Sequence, residues 1–142
     1  LASWMQPIFD NLEFLLQGEE RNGKPSHGSS RMTPESLINS HRIELEALTY
    51  IRGRSIPRQF VIVDEAQNLT PHEIKTIVSR AGEDTKIVLT GDPQQIDNPY
   101  LDASSNGLTC AAERMRGHAI HGHITLAKSE RSELAALAAK LL

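Results

Sequence analysis

The chain has 142 residues, of which 39% are hydrophobic, and a formal net charge of −3 at pH 7. This length supports one hydrophobic core, so we expect residues 1–142 to form a single domain. The negative net charge excludes overall electrostatic attraction to nucleic acid, so any contact with nucleic acid must come from a local basic patch. We expect no membrane association, because no apolar run reaches the ~18 residues of a span, and a cytoplasmic location, because the one cysteine, Cys110, cannot form an internal disulfide.

The amino-terminal stretch indicates a helix followed by a loop. In "WMQPIFDNLEFLLQ", apolar residues recur at the spacing of one helix face: Ile8, Leu12 and Leu15. The next segment, "GEERNGKPS" (residues 18–26), matches the first seven positions of the phosphate-binding pattern G-x-x-x-x-G-K-[ST] and breaks it at Pro25. Proline has neither the N–H nor the hydroxyl that such a loop uses to bind phosphate and Mg²⁺. We therefore interpret residues 18–33 as a flexible insertion loop.

The central part of the chain indicates a short helix and several strands. "TPESLINS" predicts a helix capped by Thr33, with Pro34 at its first position, and "RIELEALTYI" alternates apolar and acidic residues as a half-buried strand does. Three continuous apolar runs are typical of strands buried on both faces of a parallel sheet: "FVIV" (60–63), "IVL" (87–89) and "ITLA" (124–127).

Each apolar run is followed by a predicted helix. After the first run, Thr70 and Glu73 predict a capping box, Pro71 occupies the first helical position and Gly82 ends an apolar helix face. "SNGLTCAAERM" predicts a helix opened by Ser105 or Asn106, and "SERSELAALAAKLL" predicts a third helix. Alternation of strands and helices predicts an α/β fold with a doubly wound, mainly parallel sheet.

The residues that follow each of the first two apolar runs are polar. Ligands bind at the carboxyl ends of the strands in open α/β sheets. The first run ends at Asp64 and Glu65, a pair suited to holding Mg²⁺ with one acid and orienting a water with the other. Taken alone, the same pair could be two solvated acids at the start of a loop.

The residues that follow the second apolar run strengthen the functional interpretation. There, Gly91 allows a tight turn, and Asp92 with the amide of Gln94 or Gln95 offers polar groups to a phosphate oxygen or an attacking water. We therefore predict that this turn places a polar sensor beside the acid pair.

"VDEAQN" followed by "TGDPQQ" resembles motifs II and III of superfamily 1 helicase-type ATPases, and the text from "WMQPIFDNLEFL" to "SERSELAALAAKLL" resembles the PhoH family over nearly the whole chain. The resemblance is strongest to the branch in which the ATPase follows a PIN ribonuclease domain. It implies a P-loop NTPase fold, ATP and Mg²⁺ as ligands, and an RNA helicase or RNA-processing role.

The resemblance also implies a role for individual residues. Asp64 corresponds to the Walker B acid, which binds Mg²⁺ through water, and Glu65 to the catalytic carboxylate. Gln67 corresponds to a glutamine that contacts nucleotide phosphate, and Gln95 to the motif III glutamine of G-D-x-x-Q. Arg131 corresponds to a late arginine that neutralises charge in the transition state, within its own subunit or across to a neighbour in a homo-oligomeric ring.

One part of the family pattern is missing. The resemblance implies a Walker A phosphate loop upstream of "WMQP", outside this chain, and it places "GEERNGKPS" in a variable insertion. The chain also lacks an initiator methionine, which suggests a piece of a longer protein. We therefore expect the 142 residues alone to be inactive as an ATPase.

Two other functions stay open at this point. The first is an RNA-binding or assembly module with a vestigial nucleotide pocket, and the second is a metal-dependent nuclease built on Asp64, Glu65 and Asp92. RNA contact has its own candidate residues in "YIRGRS", where Tyr50 could stack on a base and Arg52 and Arg54 could bind phosphates.

Overall fold

The computed structural model describes residues 5–22, 32–51, 53–127 and 132–141. Contacts between residues divide the chain into two compact units, Leu1–Ile51 (unit 1) and Arg52–Leu142 (unit 2). No helix of the described residues is long and apolar enough to cross a membrane.

Unit 1 contains two α-helices, α1 (Gln6–Asn22) and α2 (Pro34–Asn39), and a 3-10 turn at Leu48–Tyr50. The predicted cap of α2 is confirmed, because the Ser36 N–H donates to the Thr33 hydroxyl at 3.2 Å and the Thr33 N–H donates to the Ser36 hydroxyl at 3.0 Å. Helix α1 is longer than the sequence indicated.

The first part of the predicted insertion loop is helical instead. Residues 18–22, which we placed in the loop, are the last turn of α1. Glu and Arg are good helix formers, so their run after Gly18 continues the helix. The rest of the phosphate-loop-like segment, residues 23–26, lies outside the described residues, as do residues 27–31.

The strand predicted within "RIELEALTYI" is wrong. Residues 43–47 form no strand, and the Ile43 N–H donates to the Leu37 carbonyl of α2 at 3.2 Å. Ile43 and Leu45 are half-buried while Glu44 and Glu46 are exposed, so the alternation marks one packed face. A strand also needs a partner for its backbone, and none pairs with this segment in the described part of the chain.

Unit 2 is an α/β unit around a parallel pair of strands, β1 (Phe60–Val63) and β2 (Lys86–Leu89), with Phe60 beside Lys86 and Val63 beside Leu89. Helix α3 (Pro71–Val78) connects the two strands, and α4 (Gly107–Arg114) and α5 (Glu133–Leu141) follow them. The predicted α/β class with parallel pairing is confirmed.

The core of unit 2 lies between the sheet and helices α3 and α4. Val63, Ala66, Ile74 and Ile77 are buried together, and Val61, Ile87, Leu89, Leu69, Val78, Leu108 and Ala111 pack around them. The helix caps predicted from sequence hold this layer in place. Thr70 and Glu73 form the capping box of α3, and Asn106 caps α4 through a 2.9 Å bond from the Thr109 N–H to its side-chain oxygen.

Two expectations for the sheet are wrong. Phe60 and Ile62 are each 64% exposed, so β1 packs only its Val61 and Val63 face, and within the described residues helices cover one side of the sheet. The predicted third strand at 124–127 is absent, because this segment joins no ladder and Ile124 and Leu126 are 83% and 87% exposed. Apolar β-branched residues favour a strand but do not supply its partner.

Candidate functional site

The carboxyl ends of β1 and β2 lie side by side, as the predicted site requires. Beyond the ladder, the Thr90 N–H donates to the Val63 carbonyl at 2.9 Å and the Ala66 N–H donates to the Thr90 carbonyl at 2.9 Å. These two bonds hold the segments that leave the strands, 64–67 and 90–95, against each other. The acid pair and the Gly-Asp-Pro turn therefore form one polar edge of the sheet.

Asp64 is the first residue after β1 and is exposed to solvent. Its Oδ1 accepts hydrogen bonds from the Thr90 hydroxyl at 2.8 Å and from the Glu65 N–H at 3.0 Å. No hydrogen bond of the described residues engages its Oδ2. The carboxylate is thus held in one orientation with one oxygen directed away from these two donors.

Glu65 has a left-handed backbone conformation, with φ 53° and ψ 37°. A residue other than glycine in such a conformation costs about 1–3 kcal/mol and persists only where neighbouring structure imposes it. The chain turns sharply here, from β1 into the 3-10 turn Ala66–Asn68, and the core residue Ala66 is fully buried just beyond it. The sequence pattern contained no sign of this strain, since glutamate is not a typical residue for it.

Gln67 connects the two strand exits from inside the protein. It is fully buried, and its Nε2 donates to Glu65 Oε2 at 2.5 Å and to the Gln95 carbonyl at 2.9 Å. Its Oε1 accepts the Asp92 N–H at 3.2 Å. A buried amide with all these bonds formed fixes the relative position of the groups it joins.

Gly91 has a steric role rather than the turn role expected from the sequence. Among the described glycines only Gly53 and Gly117 have positive φ, so any residue could adopt the Gly91 backbone conformation. A Cβ at this position, however, would lie 2.2 Å from Oε1 of Gln67 and 3.2 Å from the Ala66 nitrogen. Glycine is required here because the buried amide approaches the backbone so closely.

The turn after Gly91 is organised by Asp92. Its Oδ1 accepts the Gln94 N–H at 2.9 Å, and its Oδ2 accepts the side-chain N–H of Gln95 at 2.6 Å. Gln94 and Gln95 are exposed. Asp92 thus fixes the side-chain nitrogen of Gln95, while the side-chain oxygen of Gln95 makes no hydrogen bond with the described residues.

The donor set at this edge suits a magnesium ion bound mainly by water and ligand oxygens. In the described part of the chain, no group of three or more His, Cys, Asp or Glu side chains is arranged to hold a metal ion. Mg²⁺ retains several waters and needs only one or two carboxylates. The orientation of Asp64, with Oδ2 not engaged, fits this mode of binding.

The remaining predicted residues are not brought to this edge. Arg131 and Arg52 lie outside the described residues. Tyr50 belongs to unit 1 and is 73% exposed. Arg54 is exposed and precedes β1, so it lies toward the amino end of the strand, away from the acid pair at the carboxyl end.

Two residues of the site were missed by the sequence analysis, Thr90 and Asn68. Thr90 orients Asp64, and its place directly after the second apolar run was a signal that could have identified it. Asn68 Oδ1 accepts the Asp97 N–H at 2.7 Å, and the Asn68 carbonyl accepts a side-chain N–H of Asn98 at 3.2 Å. Asn68 therefore anchors the far end of the loop whose beginning Gln67 holds.

Comparison with known proteins identifies relatives of this chain. The sequence model of the family described as "PhoH-like protein" matches residues 1–141. The chain is 56% identical over its whole length to "Protein PhoH2" of Bacillus subtilis and 36% identical over its whole length to "Protein PhoH2" of Mycolicibacterium smegmatis, of which it covers 30% and 29%. It is 46% identical over 101 residues, 71% of the chain, to a "PhoH-like protein" of Synechocystis, of which the match covers 27%. The chain thus spans less than a third of the length of these relatives.

Proposed function

Because the chain belongs to the PhoH-like protein family, we propose that it forms the Walker B half of an ATPase site. The observation that supports this most strongly is the pairing of the two strand exits. An acid pair and an Asp-Gln turn lie together at the carboxyl edge of a parallel sheet, tied by one buried amide. This is the edge at which α/β sheets bind their ligands.

In this proposal the two acids have different tasks. Asp64 holds Mg²⁺ through a water with its Oδ2, while Thr90 fixes its Oδ1. When bound there, Mg²⁺ would supply positive charge to neutralise the phosphates. Glu65 accepts a proton from the attacking water at Oε1, since its Oε2 is bonded to Gln67 and no bond of the described residues uses Oε1. A positioned general base of this kind contributes about 10²–10⁴-fold to a rate.

The residues of the Asp-Gln turn act on the γ-phosphate. The side-chain oxygen of Gln95 orients the attacking water, and Gln94 and Asp92 contribute to the nucleotide pocket. Arg131 neutralises the charge that develops on the transferred phosphoryl group, a role worth 10³–10⁵-fold in other ATPases and GTPases. A phosphate loop upstream of this chain completes the pocket.

ATP hydrolysis is coupled to RNA in this proposal. Tyr50, Arg52 and Arg54 supply a stacking ring and two guanidinium groups for a single strand. Arg54 precedes β1 and the acids follow it, so Arg54 and the acid pair lie toward opposite ends of one strand. We include in the proposal a cytoplasmic location, an upstream PIN ribonuclease domain and a homo-oligomeric ring.

Substitution of Glu65 by Gln tests the proposal. The variant is made in the protein extended upstream through its phosphate loop, and Glu113→Gln, at an exposed acid of α4, is the matched control. We expect Glu65→Gln to lower kcat at least about a hundredfold while the affinity for Mg·ATP is kept, because the amide cannot accept the proton. The control should keep both values.

The same experiment separates the alternatives. An RNA-binding or assembly module would bind RNA with no turnover in the extended wild type. A nuclease would cleave RNA with Mg²⁺ in the absence of ATP. The structure lends the nuclease no support, because Asp64, Glu65 and Asp92 do not form a three-acid metal group in the described part of the chain.

A further inference from the structure

Gln67 is a buried amide that joins the two strand ends of the candidate site. Its side chain is fully buried, and it bonds to three different residues, of which two lie 25 and 28 positions later in the chain. The shortest of its hydrogen bonds runs from Nε2 to the carboxylate of Glu65.

The chemistry of its partners fixes the orientation of the amide. The Asp92 N–H can only donate, so the atom 3.2 Å away must be the Gln67 oxygen. The Gln95 carbonyl and the Glu65 carboxylate can only accept, so the nitrogen must face them. Both N–H groups of Gln67 are therefore used within the protein, and neither remains for a phosphate oxygen.

We propose that Gln67 is a positioning residue that sets the place of the Glu65 carboxylate and of the Gln95 turn relative to each other, without contacting the nucleotide. This inference rests on the proposed ATPase function and refines it. One N–H holds Glu65 Oε2, which leaves Oε1 for the attacking water. The other N–H and the oxygen hold the backbone on either side of Pro93, and so the turn that presents Gln95.

Gly91 supplies an independent observation. A Cβ at residue 91 would meet Oε1 of Gln67 at 2.2 Å, whereas the next two atoms, a methyl carbon of Leu108 and the backbone nitrogen of Ala66, lie at 3.0 Å and 3.2 Å. A methyl group at residue 91 therefore acts first on the Gln67 amide. Glycine at position 91 thus leaves space for the Gln67 amide in its hydrogen-bonded position.

The test measures kcat, KM and Mg·ATP affinity for five variants of the extended protein. Gln67→Met keeps the buried volume and removes the hydrogen bonds, and Gly91→Ala displaces the amide without removing it. Gln67→Ala is made alone and combined with Gly91→Ala, because the shortened side chain frees the space that the new methyl group needs. Gly122→Ala is the control, since a Cβ there meets nothing within 4 Å and the backbone φ is not positive.

We expect Gln67→Met and Gly91→Ala to lower kcat by about a hundredfold, as misplacement by about 1 Å can do, while KM and nucleotide affinity change less than about threefold. We also expect the effects of substitutions at residues 67 and 91 on kcat to be coupled. Gly91→Ala should be costly in the wild type and nearly neutral in a Gln67→Ala background, because its clash is with the missing amide.

Several results would overturn the inference. A loss of Mg·ATP affinity with kcat retained would show that Gln67 contacts the nucleotide. Additive effects of the two substitutions would show that Gly91 does not act through the amide. An extended wild type without turnover would instead refute the proposed function, and the inference with it, so the wild-type rate distinguishes the two failures. If Gln67→Met does not fold, Gly91→Ala and the double variant still decide the question.

Discussion

Gly107→Ala tests how closely α4 packs on α3. Gly107 is the first residue of α4 and is buried, and its N–H donates to the Leu69 carbonyl at 2.7 Å. A Cβ at this position would lie 2.4 Å from Ile74 Cγ1 and 2.8 Å from the carbonyl oxygens of both Leu69 and Thr70. The two oxygens belong to the backbone that leads into α3, so the methyl group fits only if α4 moves away.

The magnitude follows from these contacts. Overpacking a well-filled site costs about 1–3 kcal/mol. Moving α4 also stretches the bond from Gly107 to Leu69, and losing it costs about 1 kcal/mol more. Against this, replacing a helical glycine by alanine stabilises a protein by up to about 1 kcal/mol. We therefore expect a net destabilisation of about 1–3 kcal/mol.

Thermal or denaturant unfolding of the wild type, Gly107→Ala and the control Gly122→Ala measures this effect. One kcal/mol corresponds to a shift of roughly 2–8 °C in Tm for domains of this size range. We expect a clear decrease for Gly107→Ala and no decrease for the control. Helix propensity alone predicts the opposite sign, so a Tm equal to or above that of the wild type would refute the packing described here.

Three further predictions concern a helix cap, a loop acid and the basic segment. Thr70→Ala removes the cap of α3 and should lower the free energy of unfolding by about 0.5–2 kcal/mol; an unchanged denaturation midpoint would contradict the capping box. Hydrogen bonds from Ser104 and then Ser105 lower the pKa of Asp102 from 3.8 to about 2, so its stabilising effect is complete above about pH 4 and is lost as the pH falls toward 2. Denaturation midpoints across this range should fall more for the wild type than for Asp102→Ala, and parallel curves would count against the effect. Replacing Arg52 and Arg54 by Ala should weaken RNA binding and reduce its salt slope by about 2, and binding that is unchanged would remove these residues from the proposal.

The features predicted correctly from sequence depend on neighbouring residues. The cap at Thr33 and the capping box at Thr70 each need only the three residues that follow, and Asn106 caps α4 in the same way. The acid pair and the Asp-Gln turn were found because each directly follows an apolar run. Local patterns of this kind are complete within one segment of sequence.

The errors in the fold concern partners that the sequence does not name. Residues 43–47 alternate as a strand does and 124–127 are apolar, but neither pairs with another strand in the described part of the chain. The same holds for the outer face of β1, where Phe60 and Ile62 remain exposed. Apolar character shows that a residue can be buried, not that this chain buries it.

The arrangement of the site was only partly predictable for a similar reason. The bonds of Gln67 span up to 28 positions, and the clash that requires Gly91 exists only once those segments meet. The left-handed conformation of Glu65 is imposed by the buried turn around Ala66, not by the type of residue. Sequence identified these residues, and the fold shows what holds them in place.

The most direct test of the central claim compares ATP hydrolysis by two proteins, with and without RNA. One is this 142-residue chain, and the other is the same chain extended upstream through its phosphate loop. If these residues form the Walker B half of an ATPase site, only the extended protein hydrolyses ATP, and RNA raises its rate. Equal turnover by the short chain, or no turnover by the extended protein, would contradict the account.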